Sequence, residues 1–188
     1  MLDDKGVLFY NMTQNIDNLE EKTGINMSKV VQAHGANRGA HCAKCKVDQD
    51  IEKFKAAVKS ETVLYCKVPG CDGPVKPNVV FFGEQLPSEY MNAVSQQNLE
   101  QVDLLLIMGT ALAVAPFNLI VQMIKQKCPK ILFNMNNTKE TGGYDFTQGE
   151  GKLFIEGKCD ETIIKLVKDC GWQEDFSKVL PDYHKVKL

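Results

Sequence analysis

The 188 residues contain no long run of like charge and no long apolar run. Their 22 basic and 24 acidic side chains nearly cancel and are dispersed along the chain. That excludes a polybasic membrane anchor or a basic nucleic-acid tail, so partners have to be argued from sites. No stretch approaches the roughly 20 apolar residues that a bilayer-spanning helix needs. The opening Met1-Leu-Asp-Asp-Lys5 lacks the basic and apolar regions of a secretory signal. The expectation is a cytoplasmic or nuclear protein with no direct nucleic-acid or membrane partner. Internal repeats and low-complexity segments are also absent. The length suits one domain with its own core and a small inserted module, not two full domains.

The sequence does hold a set of short apolar runs. Val7-Leu-Phe-Tyr-Asn-Met-Thr13, Asp103-Leu-Leu-Leu-Ile-Met-Gly109, Lys130-Ile-Leu-Phe-Asn-Met135 and the shorter Lys152-Leu-Phe-Ile155 read as buried strands. Runs without polar alternation are those of a parallel sheet covered on both faces. Helical patterns lie between them. Pro116 opens one that runs to Lys125, and Thr162 to Cys170 forms another that stops at Gly171, in keeping with the proline-start, glycine-stop asymmetry of helices. Strands alternating with helices imply an α/β fold with a partial Rossmann-like parallel sheet, whose ligands bind at the carboxyl ends of the strands. From about Ala36 to Pro77 the pattern changes to cysteines, lysines and turn residues, which marks an inserted module. The expected organisation is therefore a Rossmann-like domain over residues 1–35 and 78–172, a metal-binding insert over 36–77, and a tail over 173–188.

Seven cysteines are an odd number, and in a reducing compartment clustered thiols point to metal before disulfides. Cys42-Ala-Lys-Cys45 and Cys66-Lys-Val-Pro-Gly-Cys71 form two knuckle-like pairs separated by twenty residues. Two such pairs complete the tetrahedral all-sulfur shell of a structural Zn²⁺ and leave no position open for water. One structural zinc per chain is expected, with Cys42, Cys45, Cys66 and Cys71 as ligands. His41 is a possible competitor that a full cysteine set does not need. Cys128 and Cys170 have no such neighbours and read as core residues. A zinc ribbon that binds a protein or a nucleic acid is the rival reading at this point.

Further segments decide against a simple ribbon. Thr13-Gln-Asn-Ile-Asp17, Gln32-Ala-His-Gly35, Val79-Val-Phe-Phe-Gly-Glu84 and Gly109-Thr-Ala-Leu-Ala-Val-Ala-Pro-Phe117 occur in that order around the four-cysteine insert. Together they resemble the sirtuin family of NAD-dependent protein-lysine deacylases, and the resemblance extends from about Lys5 to Trp172. It implies removal of an acyl group, foremost acetyl, from a histone or non-histone protein lysine, with nicotinamide and O-acyl-ADP-ribose released. His34 matches the catalytic histidine, a general base on a ribose hydroxyl, a task that suits an imidazole of pKa about 6.5. Gln14, Asn15 and Asp17 match the segment that lines the nicotinamide pocket. Val80, Phe81, Phe82, Gly83 and Glu84 match the peptide-binding strand, whose main chain would pair with substrate and whose aromatics would wall the acyl-lysine tunnel. Val114 matches the facing hydrophobic contact. Gly109 and Thr110 match a nucleotide-contacting turn, Asn134 a residue on the adenosine ribose, and Cys159 a turn beside adenine.

The sequence also departs from the family. Ala111 stands where serine is usual, so one hydroxyl toward the cofactor is lost, and Asn136 replaces an acidic partner of the ribose. The family's opening Gly-Ala-Gly turn, which cradles the pyrophosphate, and its Ile-Pro-Asp-Phe-Arg loop do not occur. Backbone N–H groups for two phosphates then have no evident counterpart, and strands expected at the sheet centre become edges. The preferred expectation is that these residues are part of a longer parent enzyme. The alternatives are an inactive zinc-bearing module that keeps acyl-peptide binding, or a protein ADP-ribosyltransferase built on the same site.

Overall fold

The computed structural model describes residues 1–182. It contains two compact units, one formed by Leu8–Ala93 and the other by Met1–Val7 together with the chain from Val94 onward. Strand pairing follows the same division: each strand pairs within its own unit, which gives three small sheets.

In the unit Leu8–Ala93, β1 (Asn11–Thr13) and β2 (Val30–Gln32) pair in parallel with Asn11 opposite Val30 and Thr13 opposite Gln32. The apolar run from Val7 thus yields only a three-residue strand. Its first part stays unpaired, with Val7 and Phe9 exposed. Two 3₁₀ turns, Leu19–Thr23 and Met27–Lys29, make the crossover to β2. Next come β3 (Gly35–Cys42), β4 (Asp48–Gln49), α1 (Ile51–Lys59), β5 (Val75–Val79) and α2 (Ser88–Ala93). β3 lies between β4 and β5 and is antiparallel to both. The α1 helix starts at Asp50, whose carboxylate accepts the N–H groups of Glu52 and Lys53 at 2.9 and 3.2 Å, the usual way to satisfy orphan donors at a helix start.

The segment Val80–Glu84 is a turn, not the strand expected from the family pattern. Val79 is the last paired residue of β5, opposite Gly35. The N–H of Val80 then donates to the carbonyl of His34 at 2.9 Å, and the N–H of Glu84 donates back to the carbonyl of Phe81 at 3.0 Å. Gly83, at φ +86°, permits the reversal. The turn leaves Phe81 half exposed and Phe82 98% exposed.

The second unit carries α3 (Gln96–Leu99), β6 (Leu105–Met108), α4 (Ile120–Met123), β7 (Lys130–Asn134), α5 (Lys139–Gly142), β8 (Lys152–Glu156), α6 (Cys159–Asp169) and α7 (Gln173–Val179). β6, β7 and β8 form a parallel sheet with β7 central. Leu132 and Phe133 of β7 are completely buried, as an unbroken apolar run on a doubly covered strand requires. The helix expected over Pro116–Lys125 is shorter. Pro116 precedes a 3₁₀ turn, Phe117–Leu119, and α4 ends where Ile124 adopts an extended backbone. α6 ends at Asp169, with Cys170 as its cap and Gly171 beyond it in the left-handed conformation, where the stop was expected, but it begins at Cys159. Part of the stretch read as a tail is α7. Cys128 is buried, whereas Cys170 is exposed, because it caps the C-terminus of α6 rather than facing the sheet. Lys130 is a buried ammonium, satisfied by the carbonyls of Lys125 and Cys128 at 2.7 and 3.0 Å.

Among the described residues no helix is long and apolar enough to cross a membrane. The core of the second unit depends on β7. Leu132→Ala should therefore lower its stability by about 2–5 kcal/mol, the range for emptying a filled leucine site. The expected readout is a lower denaturant midpoint with little change in slope.

Candidate functional site

The two parallel strands β1 and β2 end side by side, so the loops that leave them meet. Gln14–Asp17 continue from β1, and the turn Ala33–His34 continues from β2. The N–H of Ala33 donates to the carbonyl of Thr13 at 3.0 Å, and Nδ1 of His34 lies 3.1 Å from the carbonyl oxygen of Gln14. A carbonyl can only accept, so this contact places the proton of the neutral ring on Nδ1 and makes Nε2 the basic nitrogen. The loop after β1 is tied down from within. Asn15 donates its N–H to the hydroxyl of Thr13 at 3.1 Å, the Asp17 carboxylate accepts the N–H of Leu19 at 3.2 Å, and the carbonyl of Ile16 accepts from Asn37 at 3.0 Å. Asn15 and Asp17 are themselves exposed and His34 is half-buried.

Gly35 comes directly after the histidine at φ +73°, and a Cβ there would lie 2.2 Å from the carbonyl oxygen of Asn78. Only glycine lets β3 begin against β5 immediately after His34. The histidine turn is thereby tied to the same ladder whose far end holds the cysteines.

At that far end, Cys42 closes β3 opposite Val75. The sulfurs of Cys42, Cys45, Cys66 and Cys71 all lie within 4.8 Å of one another, with Cys42 to Cys71 at 3.5 Å and Cys45 to Cys66 at 3.7 Å. Four thiolates at about 2.3 Å from a central zinc stand roughly 3.8 Å apart, so the set fits a tetrahedral ion. Backbone N–H groups aim at the sulfurs. Those of Lys44 and Cys45 reach Cys42, and that of Val68 reaches Cys66, each at 3.4 Å. The Cys45 N–H is the main reason that the Cys42 thiol falls to about 6. For Cys66 and Cys71 the backbone N–H groups of Val68 and Gly73 pull the same way, but burial and neighbouring sulfurs prevail and push both up. Four clustered sulfurs therefore cannot ionise together unaided, and a divalent cation resolves that conflict. Gly73 completes the cradle, since a Cβ there would lie 2.6 Å from the sulfur of Cys42. His41 is not drawn in; its Nδ1 meets the side-chain oxygen of Asn78 at 2.6 Å. The cluster thus fits one structural zinc.

In the second unit the expected nucleotide residues gather at the carboxyl ends of the parallel strands. Gly109, at φ +62°, comes after β6 and donates its N–H to the carbonyl of Phe133 at 3.1 Å. Asn134 ends β7 and donates its amide to the carbonyl of Thr110 at 3.0 Å. The Thr110 hydroxyl accepts the N–H of Leu112 at 3.1 Å, and the carbonyl of Ala111 accepts the hydroxyl of Thr141 at 2.7 Å. Cys159, at the start of α6, directs its thiol to the carbonyl of Phe133 at 3.6 Å. Asn136 and Val114 are exposed. A Cβ on Gly109 would meet only the Cys159 sulfur, at an ordinary 3.5 Å, so the left-handed backbone and not crowding selects glycine there. These strand ends, with a bare glycine turn and donor side chains, suit a nucleotide. Sequence reasoning passed over Gly73, Asn78 and Lys76. A positive φ or a close approach leaves no mark on a glycine's spelling, and a lysine inside a strand reads as a solvated charge.

A parallel α/β unit and a tetrathiolate insert whose β3 begins at a histidine turn define the class. The family model described as the Sir2 family matches residues 1–116. The chain is 38% identical over 185 residues to the NAD-dependent deacetylase sir2A of Dictyostelium discoideum, covering 96% of this chain and 36% of that protein. It is 32% identical over 198 residues to the NAD-dependent protein deacetylase sirtuin-2 of Danio rerio, covering 98% of this chain and 52% of that one. It is 42% identical over 135 residues to the NAD-dependent protein deacetylase SIR2rp1 of Trypanosoma brucei brucei, covering 72% and 37%. The chain belongs to the Sir2 family, and it spans about half or less of the length of these curated relatives.

Metal analysis should find one zinc per chain, and a strong chelator should unfold the insert cooperatively; a chain that stays folded and metal-free would contradict the site. Gly73→Ala should lose the metal at lower chelator concentration, because the added methyl displaces the Cys42 sulfur.

Proposed function

We propose that this chain serves the NAD-dependent removal of acetyl and related acyl groups from lysine in proteins, histone or non-histone, in the nucleus or the cytoplasm. The observation that carries the reading is the His34 ring, with Nδ1 on the Gln14 carbonyl and its basic nitrogen on Nε2. A general base needs a defined proton-accepting atom as well as a suitable pKa, and the β1–β2 pair supplies one. The relatives' names, all NAD-dependent deacetylases, support the same activity.

In this reading NAD, when bound, supplies a ribose carbon that gives up nicotinamide. His34 takes a proton from a ribose hydroxyl through Nε2, and the Gln14 carbonyl steadies the positive charge that the ring then carries. Asn15 and Asp17 join Gln14 in holding the nicotinamide side. Gly109, Thr110, Ala111, Asn134, Asn136 and Cys159 serve the adenosine side. Val80, Phe81, Phe82, Gly83, Glu84 and Val114 receive the acyl-lysine. The insert over 36–77 carries the metal and takes no chemical part, while 1–35 and 78–172 form the cofactor-binding portion.

The direct test is nicotinamide release from NAD in the presence of an acetyl-lysine peptide. His34→Ala should cut the rate by about 10²–10⁴-fold, the contribution typical of a positioned acid–base group. Absence of release, or an alanine variant as fast as the parent, would sink the assignment. Ala111→Ser restores one hydroxyl and should tighten NAD by about 0.5–1.5 kcal/mol, read as a lower KM for NAD with an unchanged KM for peptide.

A further inference from the structure

Lys76 is a β5 residue that none of the functional motifs contains, yet its ammonium is the hub of the turn beyond that strand. Its side chain is 12% exposed. Nζ donates to the carbonyl of Val79 at 2.9 Å and to Oε2 of Glu84 at 2.5 Å, and sits 4.3 Å from the centroid of the Phe81 ring. The same Glu84 oxygen accepts the N–H of Phe81 at 2.8 Å. One cation therefore engages the end of β5, the aromatic that opens the turn and the carboxylate that closes it.

The turn has little else to hold it. Phe82 projects almost wholly into solvent and Phe81 is half exposed, so apolar packing contributes little there. The remaining bonds are the Glu84 to Phe81 backbone closure and the Val80 N–H on the His34 carbonyl. The latter makes the chain entering the turn continuous with the histidine turn. Glu84 is held below the usual carboxylate range, first by the Lys76 ammonium and then by the Phe81 N–H, as expected for a charge-assisted bond.

We infer that Lys76 is a positioning residue for the acyl-lysine peptide: by bridging Val79, Phe81 and Glu84 it fixes the Val80–Glu84 turn relative to His34. The inference rests on the reading of that turn as the substrate segment. Lys76 touches no reacting atom. Its effect passes through the placement of Phe81 and of the main chain of the turn, where an error of about 1 Å is felt strongly. The carboxylate of Glu84 is engaged with Lys76 and Phe81, so Glu84 serves the acyl-lysine segment by closing the turn.

The test uses the 188-residue chain with zinc bound and a fluorescent acetyl-lysine peptide read by anisotropy. Lys76→Met keeps the length of the side chain and removes its charge. It should weaken peptide binding by about ten-fold with zinc content and melting temperature unchanged, and Lys76→Arg, which keeps the charge and the stacking on Phe81, should recover most of the affinity. Glu84→Gln should weaken binding in the same direction, and the double variant Lys76→Met with Glu84→Gln should be no worse than either single change. If Lys76→Met loses zinc or unfolds, Glu84→Gln decides. Peptide affinity equal to the parent in whichever variant remains folded, or no rescue by arginine, would overturn the positioning role while leaving the deacylase reading intact. If the parent chain itself does not distinguish acetylated from unmodified peptide, the substrate reading of the turn fails and the inference fails with it.

Discussion

The ladder between β3 and β5 is the constraint on which the unit Leu8–Ala93 depends. One end of it pairs Cys42 with Val75, beside the four sulfurs, and the other pairs Gly35 with Val79, directly after His34. A strand advances roughly 3.3 Å per residue, so the metal cradle and the histidine turn stand on the order of 20 Å apart. A metal at that distance cannot share in chemistry at His34, but it can fix one end of the two strands whose other end orients the histidine. The register shifts between Gly35 and Ala40, and such an irregularity bends a strand and sharpens its twist. Gly35 is the point at which the ladder tolerates no substitution, since the backbone of β5 occupies the space that a side chain would need.

The placement of polar residues is set by the direction of the strands. In the parallel pair β1–β2 and in the parallel sheet β6–β7–β8, the residues matched to function sit just past the carboxyl ends. There the loops are free of ladder bonds, and their polar groups can turn to a ligand. The strands themselves are short, and hydrogen bonds between loop and strand end hold the loops in place. Thr13 accepts the backbones of both Ala33 and Asn15, and Asn134 donates to Thr110 across from one strand end to the next. Buried or half-buried backbone groups have to find partners, and in both units they find them in the residues that carry the family pattern.

The parts legible in the sequence were those with a local or chemical signature. The spacing of Cys42, Cys45, Cys66 and Cys71 pointed to a tetrathiolate, because ligand geometry restricts loop length. The apolar run within Lys130–Met135 pointed to a buried strand, because both its faces are covered. The loop after β6 was harder to read: Pro116 looked like a helix start, but the helix comes later and is shorter. β3 was not legible as a strand at all. Its Gly-Ala-Asn-Arg-Gly-Ala-His-Cys has neither alternation nor β-branched residues, and it is extended because its neighbours and the metal site require it. The Val80–Glu84 segment is expected to be a strand from the family pattern alone. It turns because Gly83 accepts a positive φ and the Lys76–Glu84 pair closes the reversal, and that pairing is not visible before the fold is known. Cys170 illustrates the opposite error, a small apolar residue at a helix end that no neighbouring element covers.

The two units achieve order by different means. Among the described residues, the largest completely buried side chains are Phe133, Phe146, Leu112, Leu132, Val167, Thr138 and Cys42, and all but Cys42 belong to the unit that runs on from Val94. Its sheet can rest on ordinary hydrophobic burial, worth about 25 cal/mol per Å². The buried positions of the other unit are mostly small, among them Ala33, Ala36, Ala40 and Ala93 together with three of the four clustered cysteines. Small side chains bury little apolar area, so this unit needs directional ties in place of bulk. The sulfur cluster supplies them at one end of the β3–β5 ladder, while Lys76 with Glu84 orders only the local turn that leaves the other end. Phe82 remains almost fully exposed while its neighbours Phe81 and Glu84 are tied by charge and hydrogen bonding. An uncovered side chain has no packing of its own to surrender, so burying it against any partner would be a net gain of apolar contact.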